Sequence, residues 1–311
     1  MLDLEIKILQ CGNIMDRVLE WRDFLKKQRV ISVIMLCMVL ISGCSTSGAS
    51  GGTGTSSGNQ QTDCYSNLFE ADDQEIEVKK IMEKEELSNV AEFFKWVNRF
   101  NRDVGSNAGL TGEWTPIEKM NYKDSVISSN WEAENKGKTD ANSRIAAFLI
   151  LKDKIKTKGL ENSGSYLTRD INELESNSRY KILSKSKKDY IALFHEVSAA
   201  DAEVGEDYEK AFPDAWKERG VKFPKGNVSL ISVIMNDPDA KVLHVGHCGI
   251  LLKTDEGIYY FVEKLGAFMP YQVTKFKTKK ELSNMLLGRK EYRTEKEDYH
   301  AFVLENDKVM E

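Results

Sequence analysis

The sequence predicts an α+β fold in which a helical N-terminal half packs on a C-terminal antiparallel sheet. Apolar residues recur at helical spacing in the first part of the domain, up to about residue 218. The last third instead holds short runs rich in Val, Ile, Leu, Tyr and Phe, separated by turn residues. Because helices precede strands without alternating, we expect α+β rather than parallel α/β, in one domain over residues 64–311.

Length, composition and charge limit the class of protein. Residues 64–311 form a stretch of 248 residues, enough to bury one sizeable core. The chain is 41% hydrophobic and 30% charged, which is ordinary for a soluble domain. Its net charge of −5 argues against nucleic acid as a partner. No CxxC pattern or other metal-ligand spacing occurs, so we predict neither a metal nor another cofactor.

The N-terminus carries a basic segment followed by an apolar one. Residues 22–29 are positively charged, and residues 30–41 are almost uninterruptedly apolar but too short to span a bilayer. The run ends in Leu-Ile-Ser-Gly before Cys44, which matches the lipobox of bacterial lipoproteins. We therefore predict that residues 1–43 are a signal peptide and that a lipid on Cys44 anchors the protein to the outer face of the cytoplasmic membrane.

Two readings of this N-terminus stay open. A buried apolar helix followed by a chance Gly-Cys pair would need no lipid. Translation from Met15 would give a signal of more usual length than translation from Met1. After Cys44, residues 45–63 are mostly Ser, Gly and Thr, so we expect a flexible tether with a reach of roughly 25 Å.

Cysteine usage follows from this assignment. The chain has five cysteines, of which Cys11 and Cys37 lie in the predicted signal and Cys44 is the predicted lipidation site. Cys64 and Cys248 remain in the domain. One disulfide between them is possible, and we expect two free thiols.

The predicted helices precede the sheet. They cover residues 72–84, 86–101, 139–155, 170–176, 186–199 and 203–218, with one more after the main strands at 278–287. The helix at 139–155 is strongly apolar and therefore buried. Asp140, Asn142 and Ser143 at its start are all good N-caps. Ser143 either begins this helix or stands where a nucleophile would, because helix N-termini stabilise a developing oxyanion.

The predicted strands cover residues 228–235, 241–254, 258–265, 271–276 and 299–305. A three-residue loop at 255–257, with Gly257 left-handed, would set Gly249 opposite Glu263. His247 and Glu263 would then be neighbours on one face, about 7 Å apart or less, and the carboxylate could fix the imidazole tautomer. A loop of two or four residues would turn Glu263 to the other face.

His247 also has a structural reading, since a histidine on a half-buried strand is often only a hydrogen-bonded core residue. Strict alternation directs Cys248 away from His247, so we expect no pair between them. It also directs His244, three residues before His247, to the other face, which argues against chelation of a metal by the two histidines.

The order of these parts resembles the papain-like fold, in particular the NlpC/P60 group of cell-wall cysteine peptidases. The run from His247 to Leu251 is similar to their His-x-Gly-Ile-Tyr strand, and residues 142–144 stand where they have Asp-Cys-Ser. Residues 65–311 resemble more closely a group of bacterial lipoproteins known as domain of unknown function 4300. The segments that carry this resemblance are 65–68, 94–101, 142–152, 230–233, 246–252, 261–265, 270–272 and 305–308.

The second resemblance implies a cysteine where this chain has Ser143. A thiol at a helix N-terminus beside an imidazole is partly ionised near neutral pH. A hydroxyl is not, and depends wholly on a general base such as His247 at the moment of attack. We therefore expect activity lowered by orders of magnitude relative to a cysteine enzyme.

The function predicted from these observations is binding of a cell-envelope peptide or protein in a papain-like cleft, without efficient turnover. Asn142, Arg144 and Gln272 are the candidate binding residues. One alternative is a weak amide hydrolase, with Ser143 as nucleophile, His247 as base and Glu263 as the group that orients the imidazole. The other alternative is a structural lipoprotein whose cleft has no function.

Overall fold

The computed structural model describes residues 63–200, 202, 205–292 and 300–310. The predicted signal peptide, Cys44 and the tether up to residue 62 lie outside these described residues. The predicted localisation and lipidation therefore stay predictions from sequence.

The described part of the chain contains helices and antiparallel strands, which confirms the α+β prediction. The helices are α1 (Asp73–Lys84), α2 (Val90–Val104), α3 (Asp124–Asn135), α4 (Ser143–Leu151), α5 (Thr168–Ser176), α6 (Lys181–Ser184), α7 (Lys187–Phe194), α8 (Glu206–Glu218) and α9 (Lys279–Leu287). The strands are β1 (Cys64–Ser66), β2 (Thr115–Pro116), β3 (Val197–Ser198), β4 (Val228–Asp237), β5 (Val242–Lys253), β6 (Tyr259–Gly266), β7 (Met269–Phe276), β8 (Ala301–Glu305) and β9 (Lys308–Val309). Short 3-10 helices cover Ser106–Ala108, Ile117–Lys119, Ser178–Tyr180 and Lys290–Tyr292.

The nine strands of the described residues form one antiparallel sheet in the order β2-β1-β7-β6-β5-β4-β8-β9, and β3 pairs with the start of β5. Strand β1 was not predicted. It pairs with β7, and Cys64 is fully buried in it rather than lying at the edge of a tether. Within the described residues neither Cys64 nor Cys248 forms a disulfide, in agreement with the prediction.

Helices cover both faces of the sheet. On one face α4 packs against β5 and β6, and its residues from Ile145 to Leu151 are all buried, as its continuous apolar sequence requires. On the other face α9 buries Leu282 and Leu286 against Ile231, Val233 and other residues of the sheet. The predicted capping box of Thr278 and Glu281 begins this helix.

Several predicted boundaries differ from the structure. The helix predicted over 139–155 is limited to Ser143–Leu151. The helix predicted over 186–199 ends at Phe194, because residues 197 and 198 pair with β5 as strand β3. Helix α3 was not predicted. No helix of the described residues is long and apolar enough to cross a membrane.

The hairpin between β5 and β6 has the predicted register. Thr254 and Ile258 close a three-residue loop, with the Thr254 N–H donating to the Ile258 carbonyl at 2.9 Å. Gly257 is left-handed, with φ of 82°. Gly249 therefore lies opposite Glu263.

A β-bulge at Gly246 corrects the prediction for His244. Strand β4 pairs Val233 with His247 but the next residue, Ile234, with Val245, so Gly246 is an extra residue in β5. The bulge breaks the alternation of side chains between residues 244 and 247. His244 therefore lies on the same face as His247, whereas strict alternation had predicted the opposite face.

Strands β5 and β6 separate beyond the hairpin. Their pairing ends at Gly249 and Glu263, after which β5 pairs only with β4 and β3. A gap therefore opens in the sheet between residues 244–247 of β5 and residues 265–266 of β6. The N-terminus of α4 lies at this gap, and the candidate site is built around it.

Candidate functional site

The N-terminus of α4 is held by Asn142 and Asp170. The Asn142 side chain accepts a hydrogen bond from the Ile145 N–H at 3.0 Å, so Asn142 is the cap among the three candidates named from the sequence. Its amide donates to Asp170 at 2.5 Å, and the Tyr190 hydroxyl donates to the same carboxylate at 2.6 Å. Asp170 is 2% exposed. The buried carboxylate of Asp170 thus holds Asn142, the residue before Ser143, in place.

Arg144 is also part of this anchor. Its Nε donates to Asp170 at 2.7 Å and its Nη1 donates to the Val245 carbonyl of β5 at 2.8 Å. Burial opposes the charge, but the attraction of Asp170 outweighs it and raises the pKa of Arg144 above its ordinary value. Of the candidate binding residues, Asn142 and Arg144 thus have a clear structural task, although both also line the cavity described below.

Ser143 is the first residue of α4 and is only 6% exposed. Its side chain lies beside the thiol of Cys248, on the face of the sheet that α4 covers. Burial raises the pKa of Cys248 to about 12, although Arg144 and Ser143 act against the rise. The thiol is therefore neutral at physiological pH, and Ser143 has an uncharged partner.

His247 and Glu263 form a buried pair. His247 Nε2 lies 2.7 Å from a Glu263 carboxylate oxygen, and both residues are 2% exposed. This contact confirms the predicted neighbourhood of the two side chains. Since an ionised carboxylate can only accept, Nε2 carries the hydrogen and donates. In the neutral imidazole, Nδ1 then keeps its lone pair, and no described residue hydrogen-bonds to it.

Arg289 is a third member of this group. It donates two parallel hydrogen bonds to Glu263, of 2.7 Å from Nη1 and 2.6 Å from Nη2. Burial alone would raise the pKa of Glu263, but the charge of Arg289 and the hydrogen bonds from His247 and Arg289 lower it to about 2. Glu263 is therefore a carboxylate whose charge is already balanced by Arg289.

Gln272 lies behind the carboxylate. It faces Glu263 across the β6–β7 pairing, and its amide approaches a Glu263 oxygen at 3.4 Å and donates to Thr274 at 2.9 Å. The Tyr122 hydroxyl donates to the Gln272 carbonyl at 2.8 Å, and Asn67 donates to Tyr122 at 2.7 Å. Gln272 thus supports Glu263 and does not line the cavity.

A cavity of about 470 Å³ occupies the gap between β5 and β6. Ser143 reaches it from the face covered by α4, and His247 from the face covered by α9. No hydrogen bond joins the two side chains in the part of the chain described. The lining residues are Asn142, Ser143, Arg144, Tyr166, Met235, His244, Gly246, His247, Leu265, Gly266, Glu291 and Tyr292.

The buried side chain of Lys264 contacts Asp140, which lies in the segment before α4. Lys264 Nζ lies 3.3 Å from an Asp140 oxygen and 3.8 Å from the ring centroid of Phe100. The Asp140 N–H also donates to the Ala267 carbonyl at 3.2 Å. Burial lowers the pKa of Lys264 to about 8, although Asp140 acts against the fall. Lys264 is the residue after Glu263, so its side chain points to the opposite face.

Sequence reasoning missed Arg289, Asp170 and Lys264. Arg289 follows the end of α9 and reaches Glu263 from 26 residues away, which no local pattern indicates. Asp170 was assigned only as the start of a helix. For Lys264 the sequence did hold a signal, because Glu263 and Lys264 place two adjacent charges inside an otherwise apolar strand. Among the residues described, no group of three or more His, Cys, Asp and Glu is arranged to hold a metal ion.

A family model matches most of the chain. Residues 64–310 match the family described as Domain of unknown function (DUF4300), in agreement with the second resemblance drawn from sequence. No curated protein and no solved structure matches the chain.

Proposed function

The chain belongs to the DUF4300 family, and from its site we propose that the domain binds a peptide or protein of the bacterial cell envelope without efficient turnover. The ligand occupies the cavity between β5 and β6, beside Ser143 and His247. The cavity has a volume of about 470 Å³, which suits a short peptide segment.

The proposal includes a papain-like relationship. In support, a buried helix begins with Ser143 at the cavity, and the strand that carries His247 packs against that helix. A polar residue on the next strand, Glu263, orients the imidazole through Nε2, so that Nδ1 is the nitrogen left for the reacting group. This is the arrangement expected of a nucleophile, a base and an orienting group.

One observation favours binding over turnover. The Ser143 hydroxyl has no hydrogen bond to His247 within the described residues and lies beside the neutral thiol of Cys248. A serine is a nucleophile only when a general base takes its proton during attack. Here the base is turned toward Glu263 and the hydroxyl toward a neutral thiol, so Ser143 serves as a binding group.

The membrane location is part of the same proposal. A lipid on Cys44, followed by the Ser/Gly/Thr-rich tether, would hold the domain at the outer face of the cytoplasmic membrane, within reach of the cell wall. The support is the sequence alone: the basic segment, the apolar run and the lipobox.

The test of the proposal is labelling of Ser143 by a fluorophosphonate, followed by intact mass spectrometry. Because a contacting general base contributes about 10²–10⁴-fold to such reactions, we expect labelling at least about 100-fold slower than that of a known serine hydrolase. Ser143→Ala is the control. A rapid adduct that disappears in Ser143→Ala would reject binding without turnover.

That outcome would support the second candidate, a weak amide hydrolase. The ordered chain of Arg289, Glu263 and His247 favours it, because a fixed imidazole with a free Nδ1 at the cavity is what a base requires. Backbone N–H groups at the start of α4 would stabilise the oxyanion.

A further inference from the structure

His244 has no part in the arrangement of Ser143, His247 and Glu263, yet it lines the same cavity. The bulge at Gly246 places it there, on the face that carries His247. A second imidazole therefore lies in the cavity wall, apart from the pair of His247 and Glu263.

The ring of His244 is held in one orientation. It stacks on Tyr166 with a centroid separation of 4.4 Å and an interplanar angle of 23°. The Tyr166 hydroxyl donates to the Asp237 carboxylate, which also accepts from the N–H groups of residues 239 and 240. His244 is thus fixed before any ligand binds, which lowers the entropic cost of binding.

The hydrogen-bond partners of the ring assign its tautomer. His244 Nδ1 is fully buried and has no partner among the residues that the structure describes. A buried N–H without an acceptor is rarer than a buried lone pair without a donor, so the hydrogen belongs on Nε2. With Nδ1 enclosed, the ring edge that meets the cavity is the one that carries Nε2–H.

The charges nearby favour an acceptor on the ligand. Burial and the charge of Arg144 lower the pKa of His244 to about 4, against weaker opposite effects of Asp237 and Glu196, so the ring is neutral at pH 7. Arg144 also lines the cavity, and its Nη2 has no hydrogen-bond partner in the described part of the chain. The acidic lining residue, Glu291, is exposed, so water screens its charge.

We propose that His244 and Arg144 form a subsite for a carboxylate of the peptide ligand, with donors from His244 Nε2 and Arg144 Nη2. This inference rests on the proposed function and adds the chemical class of the ligand. The carboxylate can be a C-terminus or an acidic side chain. A charge-assisted hydrogen bond of this kind contributes about tenfold or more to affinity.

The test uses calorimetric titration with three peptides: acetyl-trialanine, its C-terminal amide, and the amide of acetyl-Ala-Glu-Ala. His244→Gln keeps an N–H four bonds from Cα, as Nε2 is, whereas His244→Asn moves it to three bonds, as Nδ1 is. We expect the wild type and His244→Gln to prefer a carboxylate peptide to the amide at least tenfold. In His244→Asn the preference falls to about twofold or less.

The two acids identify the source, because a C-terminal subsite favours acetyl-trialanine and a side-chain subsite favours the glutamate peptide. Equal binding of all three peptides by the wild type overturns the subsite. It is also overturned if His244→Asn unfolds at the same temperature as the wild type and still prefers a carboxylate peptide to the amide as strongly. Wild type that binds soluble muropeptides but none of these peptides also overturns it. Wild type that binds neither overturns the proposed function as well.

Discussion

Ser143 is the residue on which the chemistry of the site depends. It begins a buried helix at the cavity, but its hydroxyl lies beside the neutral Cys248 thiol and is not hydrogen-bonded to the His247 imidazole within the described residues. The helix N-terminus favours an anion at this position, and a thiol is far easier to ionise than a hydroxyl. The difference between a binding site and a catalytic one can thus lie in a single atom.

The variant Ser143→Cys should therefore create a reactive thiol. We make it in a Cys248→Ala background, so that the neighbouring thiol cannot interfere. Iodoacetamide should add one group at position 143, because the N-terminus of the helix favours the thiolate form of a cysteine there. Intact mass spectrometry measures the rate. Labelling of the buried Cys64 or Cys248 in the native wild type, or no labelling of Ser143→Cys, would contradict this account.

The ion pair of Glu263 and Arg289 predicts a pH effect on stability. Since the folded state lowers the pKa of Glu263 to about 2, the pair stabilises the fold fully above pH of about 4.3, the ordinary value for Glu. This contribution should disappear as the pH falls from there toward 2. Urea unfolding at pH 7, 4.5 and 2.5 measures it.

The matched control for this effect is the double variant Glu263→Gln/Arg289→Gln, which lacks the charges but not the hydrogen-bonding groups. Its free energy of unfolding should fall less than that of the wild type between pH 4.5 and 2.5. Glu263→Gln alone should lose about 3 kcal/mol or more at pH 7, because it leaves Arg289 buried without its partner. If the free energy of unfolding falls equally in the wild type and the double variant between pH 4.5 and 2.5, the pair does not cause the pH effect.

Strand β5 sets the geometry of the site through two glycines. A Cβ at Gly249 would lie 2.6 Å from the Phe261 ring and 2.7 Å from the Val262 carbonyl, which the sheet holds in place. A Cβ at Gly246 would lie 2.0 Å from the Met235 sulfur, which can swing away. A side chain at position 249 would therefore clash with the sheet itself. A side chain at position 246 would clash only with the flexible side chain of Met235 among the contacts found.

Gly249→Ala should accordingly destabilise the protein by about 1–3 kcal/mol, and Gly246→Ala by less. Urea unfolding of the two variants measures the difference. Adding Met235→Ala should recover most of the loss in Gly246→Ala and none of the loss in Gly249→Ala. If Gly246→Ala is the more damaging change, the tight approach of β5 to β6 does not control the register.

The sequence was informative where local rules decide the structure. The cap at Asn142 and the three-residue loop before Ile258 are set by residues within a few positions, and each was among the alternatives drawn from the sequence. The bulge at Gly246 was not, because it depends on how β4 and β5 pair over several residues. Neither Asp170 nor Arg289 could be assigned to the site, since each reaches it only after distant elements have packed.

The arrangement of the domain explains where the cavity forms. Helix α4 covers one face of the sheet and α9 the other, and the two hydrophobic clusters keep the sheet rigid between them. Strands β5 and β6 part at the N-terminal end of α4. Side chains from both faces can meet at this gap, whereas elsewhere the sheet separates them.

The N-terminal prediction concerns the location of the whole protein. We expect Cys44→Ala to abolish incorporation of labelled palmitate and to move the protein from the membrane fraction to the soluble fraction. Cys37→Ala, within the predicted signal, is the control and should change neither. Palmitate incorporation that persists in Cys44→Ala would contradict lipidation at this residue.

Titration calorimetry with soluble muropeptides tests binding without turnover most directly, because it reports both in one experiment. The control is Gly266→Trp: Gly266 lines the cavity, and a Cβ there meets only ordinary contacts, at 3.7 Å from Met269. We predict a saturable isotherm for the wild type, no continuing heat after each injection, and no binding by Gly266→Trp. Steady heat from hydrolysis, or no binding by the wild type, would contradict the proposed function.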